Sequence, residues 1–118
     1  MALRISAFPK CYIEQIAARS MSVFEWIAMA RSLDADGLEM FDGFLTSPEP
    51  GYLDRVGEAI HSAGFAMPML CCSPDFTHPD PDVRKRAADR EVEMVRAARR
   101  LGGPGTVCRA FQGQCISL

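Results

Sequence analysis

The stretch Asp36-Gly37-Leu38-Glu39-Met40-Phe41-Asp42-Gly43-Phe44 contains a turn, a short strand and the start of a loop. Residues 34–37 turn the chain, so we predict a strand over 38–41 and a loop of turn-forming residues over 42–50. Alternation along the strand places Leu38 and Met40 on one face, and Glu39 and Phe41 on the other. The apolar face must meet the helices, because an unpaired carboxylate buried there would cost several kcal/mol. We therefore expect Glu39 to point into a barrel lumen or cleft.

A structural role is the alternative for Glu39. Its carboxylate would then form an ion pair with a lysine or arginine, for which Arg4 is a candidate. The sequence leaves both possibilities open.

Strands and helices alternate on both sides of this stretch. We predict further strands over 3–8, 65–72 and 106–111, although Pro68 cannot donate a hydrogen bond within the third strand. Three helices separate the four strands, and we expect residues 10–19 to form a loop. The order β-α-β-α-β-α-β predicts an α/β fold with about four parallel strands and helices on the outside.

Local signals place the three helices. Ser22 and Glu25 form a capping box at the start of the first helix, the second stops at Gly64, and Asp80 is a suitable N-cap for the third. The spacing of the apolar residues predicts which side chains face inward. They are Val23, Trp26, Ile27, Ala30 and Leu33 on the first helix, and Val83, Ala87, Met94, Val95, Ala98 and Leu101 on the third.

Composition excludes several classes of protein. The 118 residues are 48% hydrophobic with a net charge of -2, which argues against a nucleic-acid binder. No apolar run is long enough to span a membrane, and we expect the first residues not to form a secretory signal, because they lack a basic region followed by a long apolar core. Five cysteines without a C-x-x-C pair indicate reduced thiols, so we expect a cytoplasmic protein.

The sequence ends shortly after the predicted fourth strand. A bare strand at that position leaves an open sheet edge with no covering helix. We therefore expect residues 1–118 to form a single incomplete domain, the first half of something larger.

In parallel α/β sheets, ligands bind beyond the carboxyl ends of the strands. Polar residues at these ends, or on the strands near them, are therefore the candidates for substrate binding: Lys10, Glu39, Asp42, Ser73, His78 and Arg109. Lys10 would hold an anionic or hydroxyl-rich ligand, or is plain surface. Arg109 needs a partner in a short strand, and Glu39 is a plausible one if Arg109 faces the lumen.

The loop before the third helix contains acids and a histidine that suit a divalent cation: Asp75, His78, Asp80 and Asp82. Their spacing matches no metal-binding loop. Two prolines and a helix cap explain most of the pattern, so we favour a structural role.

Four stretches together resemble the amino-terminal half of the xylose isomerase-like TIM barrels, usually called sugar phosphate isomerases/epimerases. They are Phe8-Pro9-Lys10-Cys11-Tyr12, Phe24-Glu25-Trp26-Ile27, the Asp36–Phe44 stretch and Cys72-Ser73-Pro74-Asp75-Phe76-Thr77-His78-Pro79-Asp80. The resemblance runs from about Leu3 to about Gln114. It implies half of a (β/α) TIM barrel, containing strands one to four.

The resemblance also implies an activity for the complete fold. Family members bind a divalent metal such as Mn²⁺, Mg²⁺, Co²⁺ or Zn²⁺ and move protons between adjacent carbons of a ketose or aldose. In the epimerase-like members, the metal ligands and the acid/base glutamates come from strands five to eight, which this sequence lacks. We therefore expect a half that shapes the pocket for a sugar or sugar phosphate, with no catalytic residue, no metal ligand and no turnover of its own.

Two alternatives remain open. In the first alternative, the chain would be a non-catalytic module that forms a homodimer through its exposed fourth strand. In the second, it would be a sugar-binding protein that retains the sugar pocket but has no catalytic activity. Neither alternative involves a nucleic acid or a membrane.

Overall fold

The computed structural model describes residues 3–103, together with the backbone of 107–109. The strands are β1 (Ser6–Ala7), β2 (Gly37–Leu38), β3 (Met40–Phe41), β4 (Leu70–Cys72) and β5 (Val107–Arg109). The helices are α1 (Ile13–Ala17), α2 (Val23–Ala30), α3 (Pro50–Ser62) and α4 (Pro81–Arg100). Single 3-10 turns cover Lys10–Tyr12 and Asp42–Phe44.

The strands form two small sheets, and every pairing is parallel. β1 pairs with β2, while β4 lies between β3 and β5. The predicted α/β arrangement with parallel strands is confirmed, but the described strands do not close into a barrel.

Residues 37–41 connect the two sheets. The amide of Glu39 donates to the carbonyl of Ala7 at 2.9 Å, on the β1 side. The amides of Leu38 and Met40 donate in the opposite direction, to the carbonyls of Ala66 and Met69 at 2.9 and 3.1 Å. The backbone on both sides of Glu39 is therefore held by two neighbours, and this fixes the direction of its side chain.

The predicted loop over 10–19 is wrong, because it contains the first 3-10 turn and the short helix α1. No side chain caps α1, so the sequence carries no start signal for it. The helix is held instead by the core, in which Ile16 is buried. The described residues thus form four helices rather than three.

The third strand is shorter than predicted. Only Leu70–Cys72 forms regular ladder pairs, and Ala66 makes a single bridge to Gly37. Pro68 lies between these two segments, where its missing amide hydrogen interrupts the ladder. The first strand is also shorter, and Asp36 Oδ2 accepts a hydrogen bond from the Ile5 amide at 2.8 Å just before it.

The helix starts agree with prediction. Ser22 and Glu25 form the capping box, with bonds of 3.1 and 2.7 Å, and Asp80 Oδ1 accepts from the Asp82 amide at 2.8 Å. Two inward assignments are wrong. Leu33 is 43% exposed because α2 ends at Ala30, and Val95 is 36% exposed because it lies about 100° around the helix from the buried Met94.

The main core lies between the helices and one face of the strands. Leu38, Met40 and Leu70 are fully buried there. α3 and α4 approach closely at Gly57, where an added Cβ would lie 2.8 Å from the Arg100 carbonyl oxygen. Among the described residues, no helix combines the length and apolar character that a membrane crossing requires.

Candidate functional site

The second face of the sheet points away from this core and is only partly covered. Glu39, Phe41 and Cys71 are half-buried on it, and the register places Phe41 opposite Cys71. On the core face, Leu38, Met40 and Cys72 are buried, as alternation requires. The predicted assignment of Glu39 and Phe41 to the face opposite Leu38 and Met40 is therefore correct.

Glu39 places a carboxylate in this surface. Among the described residues its side chain forms no ion pair within 4.0 Å, and Arg4 in particular does not reach it. The structural alternative, a Glu39–Arg4 pair, is therefore not found. The carboxylate is half-buried on a backbone that is hydrogen-bonded on both sides, and the side chain of Arg109, its other predicted partner, lies outside the described residues.

Three aromatic rings pack together near the end of the second strand. The rings of Phe41 and Phe44 meet edge to face at 5.4 Å, and Phe8 lies 5.9 Å from Phe44. Gly43 permits this arrangement, because a Cβ there would lie 2.5 Å from the Phe41 ring. The 3-10 turn thus packs the buried Phe44 ring against Phe41 at the end of the second strand.

Asp42 and Cys72 lie at the carboxyl ends of neighbouring strands. Burial, with smaller contributions from the charges of Asp42 and Glu91, raises the pKa of the Cys72 thiol to about 12. Cys72 is only 2% exposed. The thiol therefore stays protonated near neutral pH and does not serve as a nucleophile.

The loop over 73–80 uses its polar side chains locally. Asp75 Oδ1 accepts from the amide and the hydroxyl of Thr77, both at 3.0 Å, and these bonds lower the pKa of Asp75. His78 Nδ1 accepts from the Asp80 amide at 3.1 Å, which leaves Nε2 to carry the proton of the neutral ring. The loop is thus organised by turns and a helix cap.

The described residues do not fit a resident divalent cation. No three His, Cys, Asp or Glu side chains in the described part of the chain converge on a common point. One potential ligand atom of each side chain, Oδ1 of Asp75 and Asp80 and Nδ1 of His78, already accepts a backbone hydrogen bond. We therefore derive no chemical step through a metal from these residues.

The remaining candidates lie at or after the strand ends, as the sequence predicts, but they differ in exposure. Lys10 and Ser73 are exposed, while Asp42 and His78 are half-buried. The backbone of Arg109 pairs in register with Cys72, and its side chain lies outside the described residues.

Sequence reasoning missed two residues around the site. Cys71 lies on the open face beside Phe41, and Glu91 is 8% exposed on α4, close enough to influence Cys72. A signal for Glu91 was present. Position 91 falls on the inward stripe between Ala87 and Met94, so its side chain had to turn toward the sheet.

Two comparisons with known proteins bear on the family. A search of the curated proteins finds no match. A family model, the xylose isomerase-like TIM barrel, matches residues 27–114, which include the second half of α2, the segment over 37–41, α3, β4, α4 and β5. Because this match covers well over half of the chain, the protein belongs to the xylose isomerase-like TIM barrel family.

Proposed function

We propose that the open sheet face around Glu39 forms part of the substrate pocket of a sugar or sugar phosphate isomerase or epimerase. One observation carries the proposal. Glu39 is a half-buried carboxylate, on the face away from the helices, with no ion pair among the described residues. A charged group in such a position is costly unless a ligand or another part of the protein uses it.

The surroundings of Glu39 suit a sugar. A carboxylate accepts hydrogen bonds from neighbouring hydroxyl groups, and charge-assisted bonds of this kind are the stronger ones. Phe41, half-buried on the same face as Glu39, offers an apolar surface for the C–H face of the sugar. The exposed amine of Lys10, beyond the end of β1, would attract a phosphate group.

In this proposal the described residues bind and orient the sugar. Glu39 and Asp42 would fix its hydroxyl groups, and Ser73 and His78 would border the opening on the β4 side. Proton transfer between adjacent carbons would be the activity of a complete barrel. We assign no catalytic base within this chain.

Calorimetric titration with ketoses, aldoses and their phosphates tests the proposal. We expect at least one sugar to bind and Glu39→Gln to weaken it about tenfold, because a hydrogen bond to a charged group is worth roughly 1.5–3 kcal/mol. Glu58→Gln is the matched control, since Glu58 is exposed on α3. Equal affinity for the wild-type chain and Glu39→Gln would refute the assignment.

A second candidate function is a homodimeric module. Among the described strands, β1 pairs only with β2 and β5 pairs only with β4. Each of these two outer strands therefore has one edge without a described partner. Ile5, which precedes β1, is 63% exposed. A second copy could cover these edges through symmetric contacts.

Light scattering tests this second candidate. We expect twice the chain mass, and a shift toward the single-chain mass for Ile5→Lys. Met29→Lys is the control, because Met29 is similarly apolar and exposed but lies on α2. A single-chain mass for the wild-type protein would exclude the homodimer.

A further inference from the structure

A groove between α3 and α4 lies outside the sheet face described above. It has a volume of about 480 Å³, and it is bounded on one side by the loop and first turn over 45–53 and on the other by α4. Its lining includes none of the six candidate substrate-binding residues. The groove is therefore a separate cavity, and what it could bind is a separate question.

The floor of the groove is apolar. Leu53, Met94 and Ala97 contribute to it, and each is at most 5% exposed because all three also belong to the core. The floor is thus part of the packed contact between α3 and α4. The apolar surface that a ligand could contact therefore lies mainly on the more exposed lining residues Leu45, Pro48 and Pro50.

The rim of the groove carries three arginines, and two of them are paired. Arg100 Nη1 lies 3.0 Å from both carboxylate oxygens of Asp54, and Arg90 Nη1 lies 3.4 Å from Glu93 Oε2. The side chain of Arg96 forms no hydrogen bond or ion pair with any described residue. One guanidinium therefore stands uncompensated at the edge of an apolar floor.

The opposite wall adds a hydrogen-bond donor. Ser47 lines it, and its Oγ accepts from the Glu49 amide at 3.1 Å. The hydroxyl proton of Ser47 forms no bond with the described residues, so it can be donated. Glu93 is the only acid in the lining, and Arg90 offsets its charge.

We propose that this groove binds a small organic anion with an apolar body, a carboxylate or a phosphate monoester with about eight carbon atoms. The charged head would lie on Arg96, on the side that faces Ser47, and the apolar body would lie along Leu45 and Pro48, above the buried floor. The volume falls within the range of small-molecule sites, roughly 300–1,000 Å³. An anion is preferred over a cation because Arg90 and Arg100 are paired with Glu93 and Asp54, which leaves the positive charge of Arg96 without a described acidic partner.

Titration of the full chain with three probes of equal length tests this site: octanoate, octyl phosphate and 1-octanol. We expect at least one anion to bind about tenfold more tightly than the alcohol, because only the anions gain a charge-assisted bond. Whichever anion binds more tightly identifies the head group. Equal affinity for the alcohol and both anions, or no binding, would overturn the proposal.

Two arginine variants localise the binding. Arg96→Ala should weaken the preferred anion about tenfold, whereas Arg99→Ala should leave its affinity within about twofold. Arg99 is exposed on the same helix but does not line the groove, so it controls for net charge. Equal weakening by both variants would show mere surface attraction and refute the site. The same titration on Glu39→Gln should be unchanged, which separates this site from the proposed sugar pocket.

Discussion

Replacing Gly37 by alanine tests how the segment that carries Glu39 is held. An alanine Cβ at this position would lie 2.9 Å from the carbonyl oxygen of Ala66 and 3.2 Å from both Ser6 Oγ and Pro68 Cδ. That carbonyl also accepts the Leu38 amide hydrogen at 2.9 Å. The backbone at residue 66 cannot retreat without weakening the bond that joins residue 38 to the next strand.

The size of the effect follows from two opposing contributions. Forcing an extra methyl group into a filled space costs about 1–3 kcal/mol. Alanine also reduces the conformational entropy of the unfolded chain, which raises the free energy of unfolding by about 0.4–1 kcal/mol where the native backbone conformation suits alanine. We therefore expect Gly37→Ala to lower the free energy of unfolding by about 1–2 kcal/mol, and to lower Tm by about 4–8 °C per kcal/mol.

Urea unfolding, followed by circular dichroism and by the fluorescence of the single tryptophan, Trp26, measures the change. Gly51→Ala is the matched control on α3, since its nearest neighbour would be Arg55 Nη1 at 3.9 Å. The control should be neutral or stabilising, because alanine favours a helix by up to about 1 kcal/mol over glycine. A Gly37→Ala chain as stable as the wild type would refute the tight fit at the second strand.

Three further predictions concern the helices and the buried thiol. Ser22→Ala should cost about 1 kcal/mol in urea unfolding at neutral pH, because it removes the cap of α2. Hydrogen bonds to Ser22 lower the pKa of the Glu25 carboxyl in the folded state. Its contribution to the free energy of unfolding is therefore present above the pKa of the unfolded state and is lost as pH falls through the pKa of the folded state. Parallel plots of stability against pH for the wild type and Ser22→Ala during acid titration would contradict this. A thiol reagent should label the exposed Cys11 rapidly and Cys72 only on unfolding, and rapid labelling of both thiols in mass spectrometry would refute the burial of Cys72. Because the pKa of Cys72 is raised to about 12, its contribution to the free energy of unfolding is fully present below the pKa of the unfolded thiol and is lost as pH rises toward 12. Gly57→Ala should lower the free energy of unfolding by about 1–3 kcal/mol because its Cβ would meet the α4 backbone, and an unchanged urea midpoint would show that the two helices can separate.

Short-range signals in the sequence predicted much of this architecture. The Ser22–Glu25 capping box fixed the start of α2, and the alternation over 38–41 assigned the two faces of the second strand correctly. Both features depend only on residues a few positions apart. That is why they can be read without knowledge of the rest of the fold.

Features that depend on distant contacts were missed. Helix α1 forms without a capping side chain because Ile16 is buried in the core. The inward stripe predicted for α2 ran on to Leu33, which is exposed, because nothing in the apolar spacing shows that the helix stops at Ala30. The position of Glu39 on the face opposite Leu38 and Met40 could be predicted, but its lack of an ionic partner among the described residues could be found only from the structure.

Mapping a bound sugar onto the chain tests the central claim most directly. Amide chemical shifts of the labelled protein would be followed during titration with the sugar that binds best in calorimetry. The account predicts that the largest changes fall at the carboxyl ends of the strands, around Glu39, Asp42 and Ser73. Changes centred instead on Asp36 and His61, at the opposite ends of the strands, would contradict it, as would the absence of any change.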